Sequence, residues 1–255
     1  MTRANQFRWT SASRSDAGLV RDLNEDSTLD RPERSVWAVA DGMGGHTLGD
    51  LASRLVVEAL DQLPSHHDVL AFLADARGRL QTVNRQLLQE AVIRDAKIIG
   101  STVVVLLACD ACCGYLWAGD SRIYLLRDGR LRLLTRDHSQ IEELKARGEL
   151  RHEDAARHPA RNLITRAVGG TDELELDEET MRAGDGDMFL LCSDGLSNEV
   201  SEQEMRSALV SGDCRQAVDT MVDLALTRGR DNISAVVVRV EDLHSADKTV
   251  LNPAL

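Results

Sequence analysis

The sequence predicts an α+β domain in which helices and strands form separate layers. Strand and helix signals occur in blocks along the chain, whereas a doubly wound sheet would show them in regular alternation. With 255 residues and 43% hydrophobic content, the chain can fill one large core. We therefore expect one domain over residues 1–240, followed by a polar, disordered tail at residues 241–255.

The first half of the chain predicts one buried strand and two long helices. Residues 35–40 are β-branched and aromatic and stop at Asp41-Gly42, which places Asp41 at the end of a strand. Apolar residues then recur at helical spacing over residues 49–63, where Pro64 ends the helix, and over residues 69–93.

The second half begins with a change to the period of strands. Asp128-Gly129 lies between two alternating runs and indicates a hairpin, so residues 101–135 are expected to form one antiparallel meander, with a break at Gly119-Asp120. Residues 139–161 are charged and carry only short helical patterns, which predicts a surface insertion. Strand signals return at residues 188–192 and 234–240, with helical signals at 201–210 and 215–228 between them.

The overall charge and the cysteines limit the function classes. A net charge of −12 argues against a nucleic-acid partner, because binding to a phosphate backbone depends on basic surfaces. The five cysteines are odd in number and two adjoin, which is typical of a reducing compartment, so we expect a cytoplasmic protein. The longest apolar stretch, residues 103–109, is too short to cross a bilayer, and no membrane partner is expected.

Five short acidic motifs carry most of the functional information. Each places a carboxylate at the edge of an apolar run, beside a glycine or another turn-forming residue, where a fold can direct several acids to one point. The motifs are Arg21-Asp22-Leu23-Asn24-Glu25-Asp26, Asp41-Gly42-Met43-Gly44-Gly45, Gly119-Asp120-Ser121-Arg122, Ser193-Asp194-Gly195 and Arg230-Asp231-Asn232.

Carboxylates that converge in this way repel one another. Two of them ~4 Å apart repel by roughly 4 kcal/mol at an effective dielectric of 20, and four or five would exceed the ~5–15 kcal/mol by which a domain is stable. Either the acids stay apart, or protons or metal ions neutralise them. Because the candidate ligands are all oxygen donors, they suit magnesium, manganese or calcium better than zinc or copper.

Two neighbouring features predict phosphate chemistry. Arg21 lies four residues before Glu25. Its planar guanidinium suits two oxygens of one phosphate. The glycines after Asp41 let the backbone approach a metal closely, so the Gly42 carbonyl is a candidate ligand. Two metals that activate a shared water and stabilise an in-line displacement at phosphorus would complete a phosphate-ester hydrolase.

These motifs, in this order and spacing, resemble those of the metal-dependent serine/threonine protein phosphatases, the PPM family, in its compact bacterial form. The resemblance runs from about Arg8 to Val240. It implies a four-layer αββα sandwich of two antiparallel β-sheets flanked by helix pairs. It also implies hydrolysis of phosphoserine and phosphothreonine esters by direct attack of a water held between two divalent metals, Mn²⁺ or Mg²⁺.

The resemblance implies a metal-binding role for five residues. Asp41 bridges the two metals. Glu25 and the carbonyl of Gly42 hold one of them, whereas Asp194 and Asp231 hold the other. Asp194 also contributes to a third, weaker metal site of the family.

The remaining roles follow from the same resemblance. Asp26 lies near the metals and orients water, and Asp120 contributes to the third metal site. Arg21 binds the phosphate, so that Arg21 and Asp41 are the predicted catalytic residues. Residues 139–161 align with the variable flap beside the active site, which is linked to substrate choice.

One position departs from the family pattern. Met43 stands where some members have a histidine that acts as general acid, and a methionine cannot donate a proton. His46 is close in sequence, but we assign no protein general acid. His46→Ala is therefore expected to lose less than about tenfold in turnover, below the ~10²–10⁴-fold expected of a general acid.

Other motifs favour structural roles. Cys109-Asp110-Ala111-Cys112 has the spacing of a zinc or redox site, but no second pair follows. The segment from His152 to His158 fails the zinc-protease pattern, and Asp128-Gly129 is predicted to be a plain turn. The sequence contains neither a nucleophile elbow nor a P-loop, so it gives no support to a covalent serine mechanism or P-loop chemistry.

Three functions are compatible with these observations. The preferred one is a monomeric phosphoprotein phosphatase whose partners are phosphorylated proteins and a cognate bacterial Ser/Thr kinase, with control of a secretion system as one context. A non-catalytic phosphoprotein-binding regulator is disfavoured because Glu25, Asp41, Asp194 and Asp231 are all present. A phosphatase of small metabolites differs only in substrate, and the charged segment 139–161 suits a protein surface better.

Overall fold

The computed structural model describes residues 7–44 and 48–244, which fold into two antiparallel β-sheets with helices outside them. The strands are β1 (Phe7–Asp16), β2 (Asp26–Arg31), β3 (Val36–Met43), β4 (Gly100–Ser101), β5 (Val103–Cys109), β6 (Cys112–Ala118), β7 (Arg122–Arg127), β8 (Arg130–Leu133), β9 (Asp177–Arg182), β10 (Met188–Cys192) and β11 (Ile233–Asp242). The helices are α1 (Leu48–Asp61), α2 (Val69–Ile93), α3 (Gln140–Ala146), α4 (Asp194–Ser197), α5 (Glu202–Leu209) and α6 (Cys214–Leu226), with short 3₁₀ turns at Pro32–Arg34 and His152–Arg157.

The chain passes between the two sheets at defined points. The first sheet has the strand order β1-β11-β10-β7-β8, and the second has the order β2-β3-β5-β6-β9, with β4 added beside β3. The chain changes sheet four times, between β1 and β2, β6 and β7, β8 and β9, and β9 and β10. The first two of these crossings contain residues of the acidic motifs, so the topology brings those residues toward one end of the sheets.

The four layers follow from apolar residues on both faces of the central strands. In β3, Trp37 and Val39 point into the layer between the sheets, whereas Ala38 and Ala40 point toward the helices on the outside. Helices α1 and α2 cover the second sheet, and α5 and α6 cover the first. This arrangement confirms the predicted four-layer αββα sandwich.

Side-chain caps determine where several helices begin. The Asp68 carboxylate accepts a hydrogen bond of 3.1 Å from the Ala71 N–H at the start of α2. At the start of α5, Ser201 and Glu204 form a reciprocal capping box. Both caps satisfy backbone donors that a helix leaves unpaired in its first turn. The bounds of α2 agree with the residues 69–93 that periodicity predicts.

Three strands are not visible in the sequence patterns. Strand β1 has few apolar residues, yet it pairs with β11 along all 10 of its residues. Strand β2 is short and has one apolar residue, Leu29, and β9 is an edge strand whose side chains are largely exposed. Alternation of apolar and polar residues is weak in such strands, because only part of one face is buried.

The prediction of one continuous meander over residues 101–135 is wrong. Strands β5 and β6 belong to the second sheet, whereas β7 and β8 belong to the first. Gly119, with a φ of 105°, turns the chain out of the second sheet. The pattern of alternation identifies strands but does not specify which neighbours they pair with, so the change of sheet was not foreseen.

Two other boundaries differ from the prediction. Strand β3 continues to Met43, so Asp41 lies within the strand, directly opposite Asp26 of β2. Strand β11 continues to Asp242, two residues into the segment predicted as a tail. Residues 245–255 lie outside the described residues. Of the helices in the described part of the chain, none combines the length and apolar character needed to cross a membrane.

Candidate active site

The acids of the five motifs meet at the end of the sandwich where the chain crosses between the sheets. Asp26 and Asp41 face each other across the β2–β3 pair. Asp120 occupies the turn between β6 and β7, and Asp194 begins α4 directly after β10. Asp120 and Asp194 line a cleft of about 500 Å³ together with Asp231, which precedes β11.

Asp41 lies at the electrostatic centre of this group. Burial raises the pKa of its carboxyl well above the usual range, and the negative charges of Asp26, Asp194, Asp120 and Asp231 raise it further, in that order. Four other acids therefore act on one carboxyl from both sheets. The site holds more negative charge than its own residues neutralise, and it favours either protons or a cation.

The neighbouring acids respond in the same direction. Burial, followed by the charge of Asp194, raises the pKa of Asp120 to about 7. Burial also raises the pKa of Asp26 to about 7, although the hydroxyl of Ser193 donates a 2.8 Å hydrogen bond that lowers it. The pKa of Asp194 is raised by burial and then by Asp231, whereas a hydrogen bond with Asp41 lowers it.

Glu25, which directly precedes β2, lies beside Gly42 near the end of β3. The Gly42 N–H donates a 3.1 Å hydrogen bond to the Glu25 carbonyl, and the Gly49 N–H donates a 3.2 Å bond to Glu25 Oε1. A Cβ atom on Gly42 would overlap the Gly49 carbonyl. Glycine is therefore required at position 42 for the start of α1 to approach the site.

Arg21 forms an ion pair with one of the acids of the site. Its guanidinium donates a 2.9 Å hydrogen bond to Asp231, and 53% of its side chain is exposed. The hydrogen bond and charge of Asp231 raise the Arg21 pKa, and Glu25 and Asp41 add to this effect. Arg21 thus lies beside the acids, as predicted, but its partner is Asp231, which the sequence did not indicate.

The oxygen ligands of the site suit divalent cations, but their side chains are not arranged in a metal-coordinating geometry. Within residues 7–44 and 48–244, no three His, Cys, Asp or Glu side chains are arranged to hold a metal ion as they stand. Glu25 is turned toward Gly49, and Asp231 toward Arg21. Charges interact over longer distances than the ~2.0–2.6 Å of a metal–oxygen bond, so the acids influence one another's pKa without sharing a coordination sphere. Hard, crowded oxygen donors with excess negative charge suit Mg²⁺ or Mn²⁺.

Met43 and His46 bear on the question of a general acid. Met43 is the last residue of β3 and pairs with Gly100 of β4. His46 lies outside the described residues, so the prediction for His46→Ala stays a prediction.

Several supporting residues were missed by the sequence analysis. Thr102 accepts a 3.0 Å hydrogen bond from the Asp41 N–H, and its hydroxyl pairs with that of Ser121 at 2.7 Å. Asn232, which belongs to an acidic motif but had no role, donates to the loop before β2. Thr102 gives no signal in the sequence, because its contact depends on the pairing of distant strands.

His138 is a further residue that was missed. It is 8% exposed, and its Nδ1 accepts a 3.2 Å hydrogen bond from the Gly119 N–H beside Asp120. Its Nε2 lies 3.1 Å from Asp177, and its ring stacks on Trp117 at 6.0 Å. Burial lowers the pKa of this imidazole, which favours the neutral form that can accept the Gly119 bond.

The predicted flap begins next to His138 and borders the cleft. Its ends are joined by an isolated bridge between Ser139 and Ile164. Lys145 and Arg161 line the same cleft as the acids. The segment 139–161 also contributes Glu142, which pairs with Lys145 at 2.7 Å, so it brings charges of both signs to the cleft.

Comparisons with known proteins agree with this geometry. The family model described as protein phosphatase 2C matches residues 15–231. Serine/threonine protein phosphatase PstP of Mycobacterium tuberculosis is 39% identical over 236 residues, which cover 91% of this chain and 45% of PstP. The chain thus spans about half the length of that relative. Serine/threonine phosphatase stp of Listeria welshimeri is 35% identical over 238 residues, which cover 88% of this chain and 93% of stp.

Solved structures share the fold closely. PppA, described as a key regulatory component of T6SS in Pseudomonas aeruginosa, has 44% identity and a TM-score of 0.85, with 91% of this chain and 97% of PppA covered. The catalytic domain of PstP in complex with two manganese ions has 36% identity and a TM-score of 0.83, with 92% and 100% covered. These matches confirm the resemblance drawn from the acidic motifs, and the chain belongs to the protein phosphatase 2C family.

Proposed function

We propose that this protein hydrolyses phosphoserine and phosphothreonine esters in other proteins and that it requires Mn²⁺ or Mg²⁺. The observation that carries the proposal is the convergence of acids from both sheets: four other aspartates influence Asp41, and one of them, Asp231, is paired with Arg21. Carboxylates next to a phosphate-binding arginine would repel the phosphate. Bound metal cations would remove this repulsion. The names of the PstP and stp relatives support the same activity.

The metal-binding roles are part of this proposal. Glu25 and the Gly42 carbonyl would hold one ion, Asp194 and Asp231 a second, and Asp41 both. The ions, when bound, supply Lewis-acid activation of the attacking water and offset charge on the phosphate. Asp120, in the turn next to Asp194, would contribute to a third site.

The chain's own residues orient the substrate around these ions. Arg21 has an exposed guanidinium and would exchange Asp231 for two phosphate oxygens, since its planar fork binds both forms of oxyanion. Asp26, fixed by the Ser193 hydroxyl, would orient water. Thr102 holds the backbone of Asp41 in place through its N–H. We assign the role of general acid to no side chain, so water would protonate the leaving group.

The substrate class follows from the walls of the cleft. Arg161 brings positive charge from the segment 139–161, which acts as a flap beside the acids, whereas Lys145 of the same segment is paired with Glu142 at 2.7 Å. A cleft that opens beside a charged flap suits a phosphorylated segment on a protein surface. Such a phosphatase acts as a monomer against a cognate Ser/Thr kinase, and the likeness to PppA supports a role in a secretion system.

The test uses p-nitrophenyl phosphate and a phosphothreonine peptide with and without Mn²⁺. Phosphate release should require the metal and vanish with chelator, and Asp41→Asn and Asp231→Asn should each abolish it. Asp128→Asn is a matched control, because Asp128 lies in the β7–β8 turn at a φ of 51° that asparagine also tolerates. Full activity in excess chelator would refute the proposal.

A non-catalytic phosphoprotein binder is the second candidate. The turning of Glu25 toward Gly49 and of Asp231 toward Arg21 favours it, since both acids are engaged away from a shared ion. Such a protein would bind the phosphopeptide in calorimetry without releasing phosphate at any Mn²⁺ concentration.

A further inference from the structure

The loop of residues 17–25 carries Arg21 and Glu25 but has little apolar anchoring. It connects β1 of the first sheet to β2 of the second. Its three large apolar side chains are exposed, Leu19 by 76%, Val20 by 61% and Leu23 by 47%. Hydrophobic burial therefore does not determine the position of this loop, and polar contacts must do so.

Asn232 supplies polar contacts at both ends of the loop. Its amide nitrogen donates 2.9 Å hydrogen bonds to the carbonyls of Ala17 and Leu23. Its amide oxygen accepts a 2.8 Å bond from the N–H of Glu25. Both donors and the acceptor of the side chain are thus used, at a residue that is only 6% exposed.

Asn232 is itself held against the opposite side of the site. Its N–H donates a 3.0 Å bond to the side chain of Asp231. Gly195, next to Asp194, abuts the Asn232 carbonyl so closely that a Cβ atom there would overlap it. Gly18 of the loop abuts the Asp231 carbonyl in the same way. The amide therefore joins the loop to the segment that carries the acids of the first sheet.

We infer that Asn232 is a positioning residue that sets the distance between Arg21 and Glu25 on the loop and Asp194 and Asp231 on the other side of the cleft. This inference rests on the proposed function for its consequence in catalysis, but its structural part is independent of it. Without the amide, the loop keeps the bonds from Gly42 to the Glu25 carbonyl and from Asn24 to Ser15, but it loses the three hydrogen bonds that tie both of its ends to the segment before β11. The register between the phosphate-binding and metal-binding groups is then less tightly fixed.

The structural part is tested on metal-free protein by amide hydrogen exchange. In Asn232→Ala, the N–H of Glu25 loses its acceptor, and this amide should exchange about tenfold faster or more than in the wild type. Asn84→Ala is the matched control. Asn84 is also buried, and its amide donates 2.9 Å to the Thr171 carbonyl and accepts 2.6 Å from the Gly169 N–H, away from the loop. Asn84→Ala should leave exchange in residues 17–25 unchanged.

Asn232→Ser covers the case in which the alanine variant fails to fold, because serine brings no charge next to Asp231. Its single hydroxyl cannot replace the three hydrogen bonds of the amide, so exchange at Glu25 should again rise. Loop exchange equal to that of the wild type in either variant would overturn the inference.

The catalytic part is tested by a double-mutant cycle on inhibition by inorganic phosphate. Asn232→Ala should raise the inhibition constant about tenfold and lower kcat/KM for the phosphopeptide by about 10–100-fold. In an Arg21→Ala background the same change should raise the inhibition constant less than about threefold, because the group it positions is already gone. Additive effects would overturn the inference. A wild type without phosphatase activity but with faster loop exchange in Asn232→Ala would refute the proposed function and leave the positioning role standing.

Discussion

Asp26 shows how the surroundings of one residue set its proton affinity. It is 7% exposed and lies opposite Asp41, and burial raises its pKa from 3.8 to about 7. The folded protein therefore binds this proton more tightly than the unfolded chain does between these two values. The contribution of Asp26 to stability is greatest below about pH 4, falls as the pH rises toward 7, and is fully lost above it.

Removing the charge at this position should stabilise the metal-free protein at alkaline pH. Asp26→Asn keeps an acceptor for the Ser193 hydroxyl but cannot ionise, so its melting temperature in chelator should exceed that of the wild type by about 2–4 °C or more at pH 8.5. The difference should shrink as the pH falls and vanish below about pH 4, as measured by calorimetry. A difference that does not depend on pH would show that Asp26 is not the titrating group.

At the scale of elements, His138 links the residues that flank the segment 139–161 to the β6–β7 turn, which carries Asp120. Its side chain accepts from the Gly119 N–H, its own N–H donates 2.8 Å to the Gly119 carbonyl, and its carbonyl accepts 2.8 Å from Thr165. Asp177 of β9 holds the other ring nitrogen and is bound in turn by Arg166. The flap and the β6–β7 turn are therefore attached to one buried ring.

Two substitutions of His138 test its two ring nitrogens separately. Asparagine places an oxygen near the position of Nδ1, whereas glutamine places a donor near Nε2. His138→Asn should keep the Gly119 amide protected, and His138→Gln should speed its hydrogen exchange by about tenfold or more. NMR on metal-free protein measures both. The same exchange rate in the two variants would contradict the link between His138 and the turn.

The elements also show what local sequence patterns reveal and what they leave hidden. Asp41, Asp120, Asp194 and Asp231 were found because each borders a predicted strand or a glycine, and Glu25 and Asp26 because they follow the turn-forming Asn24. These are local signals. The contact between Asn232 and Glu25 joins residues 207 positions apart, and no local pattern encodes it. Strand β9 was missed because it is an exposed edge, and the change of sheet at Gly119 was missed because alternation does not name a partner strand.

At the scale of the whole molecule, the site draws its acids from both sheets. Glu25 and Asp41 belong to the second sheet or its approach, whereas Asp194 and Asp231 flank strands of the first. Ions bound to both sets would cross-link the two halves of the sandwich. Mutual repulsion is then replaced by attraction, and the folded state gains stability from every bound ion.

Manganese should accordingly raise the melting temperature of the protein. At about 100 times its dissociation constant, an ion that binds only the folded state adds about 2.7 kcal/mol, or about 5–10 °C for a chain of this size. Asp41→Asn should lose most of this increase, whereas Asp128→Asn should keep it. Calorimetric scans with and without chelator give the comparison, and an equal rise in Asp41→Asn would argue against an ion shared through Asp41.

The tryptophans give this sandwich a built-in optical probe. All three lie in or against the layer between the sheets: Trp9, Trp37 and Trp117. The ring centroids of Trp9 and Trp37 are 5.7 Å apart. Their emission wavelength depends on whether water reaches that layer. Local unfolding of the outer helices would leave the tryptophan emission maximum unchanged, whereas separation of the two sheets would shift it to longer wavelength. A single fluorescence measurement therefore distinguishes the two kinds of unfolding.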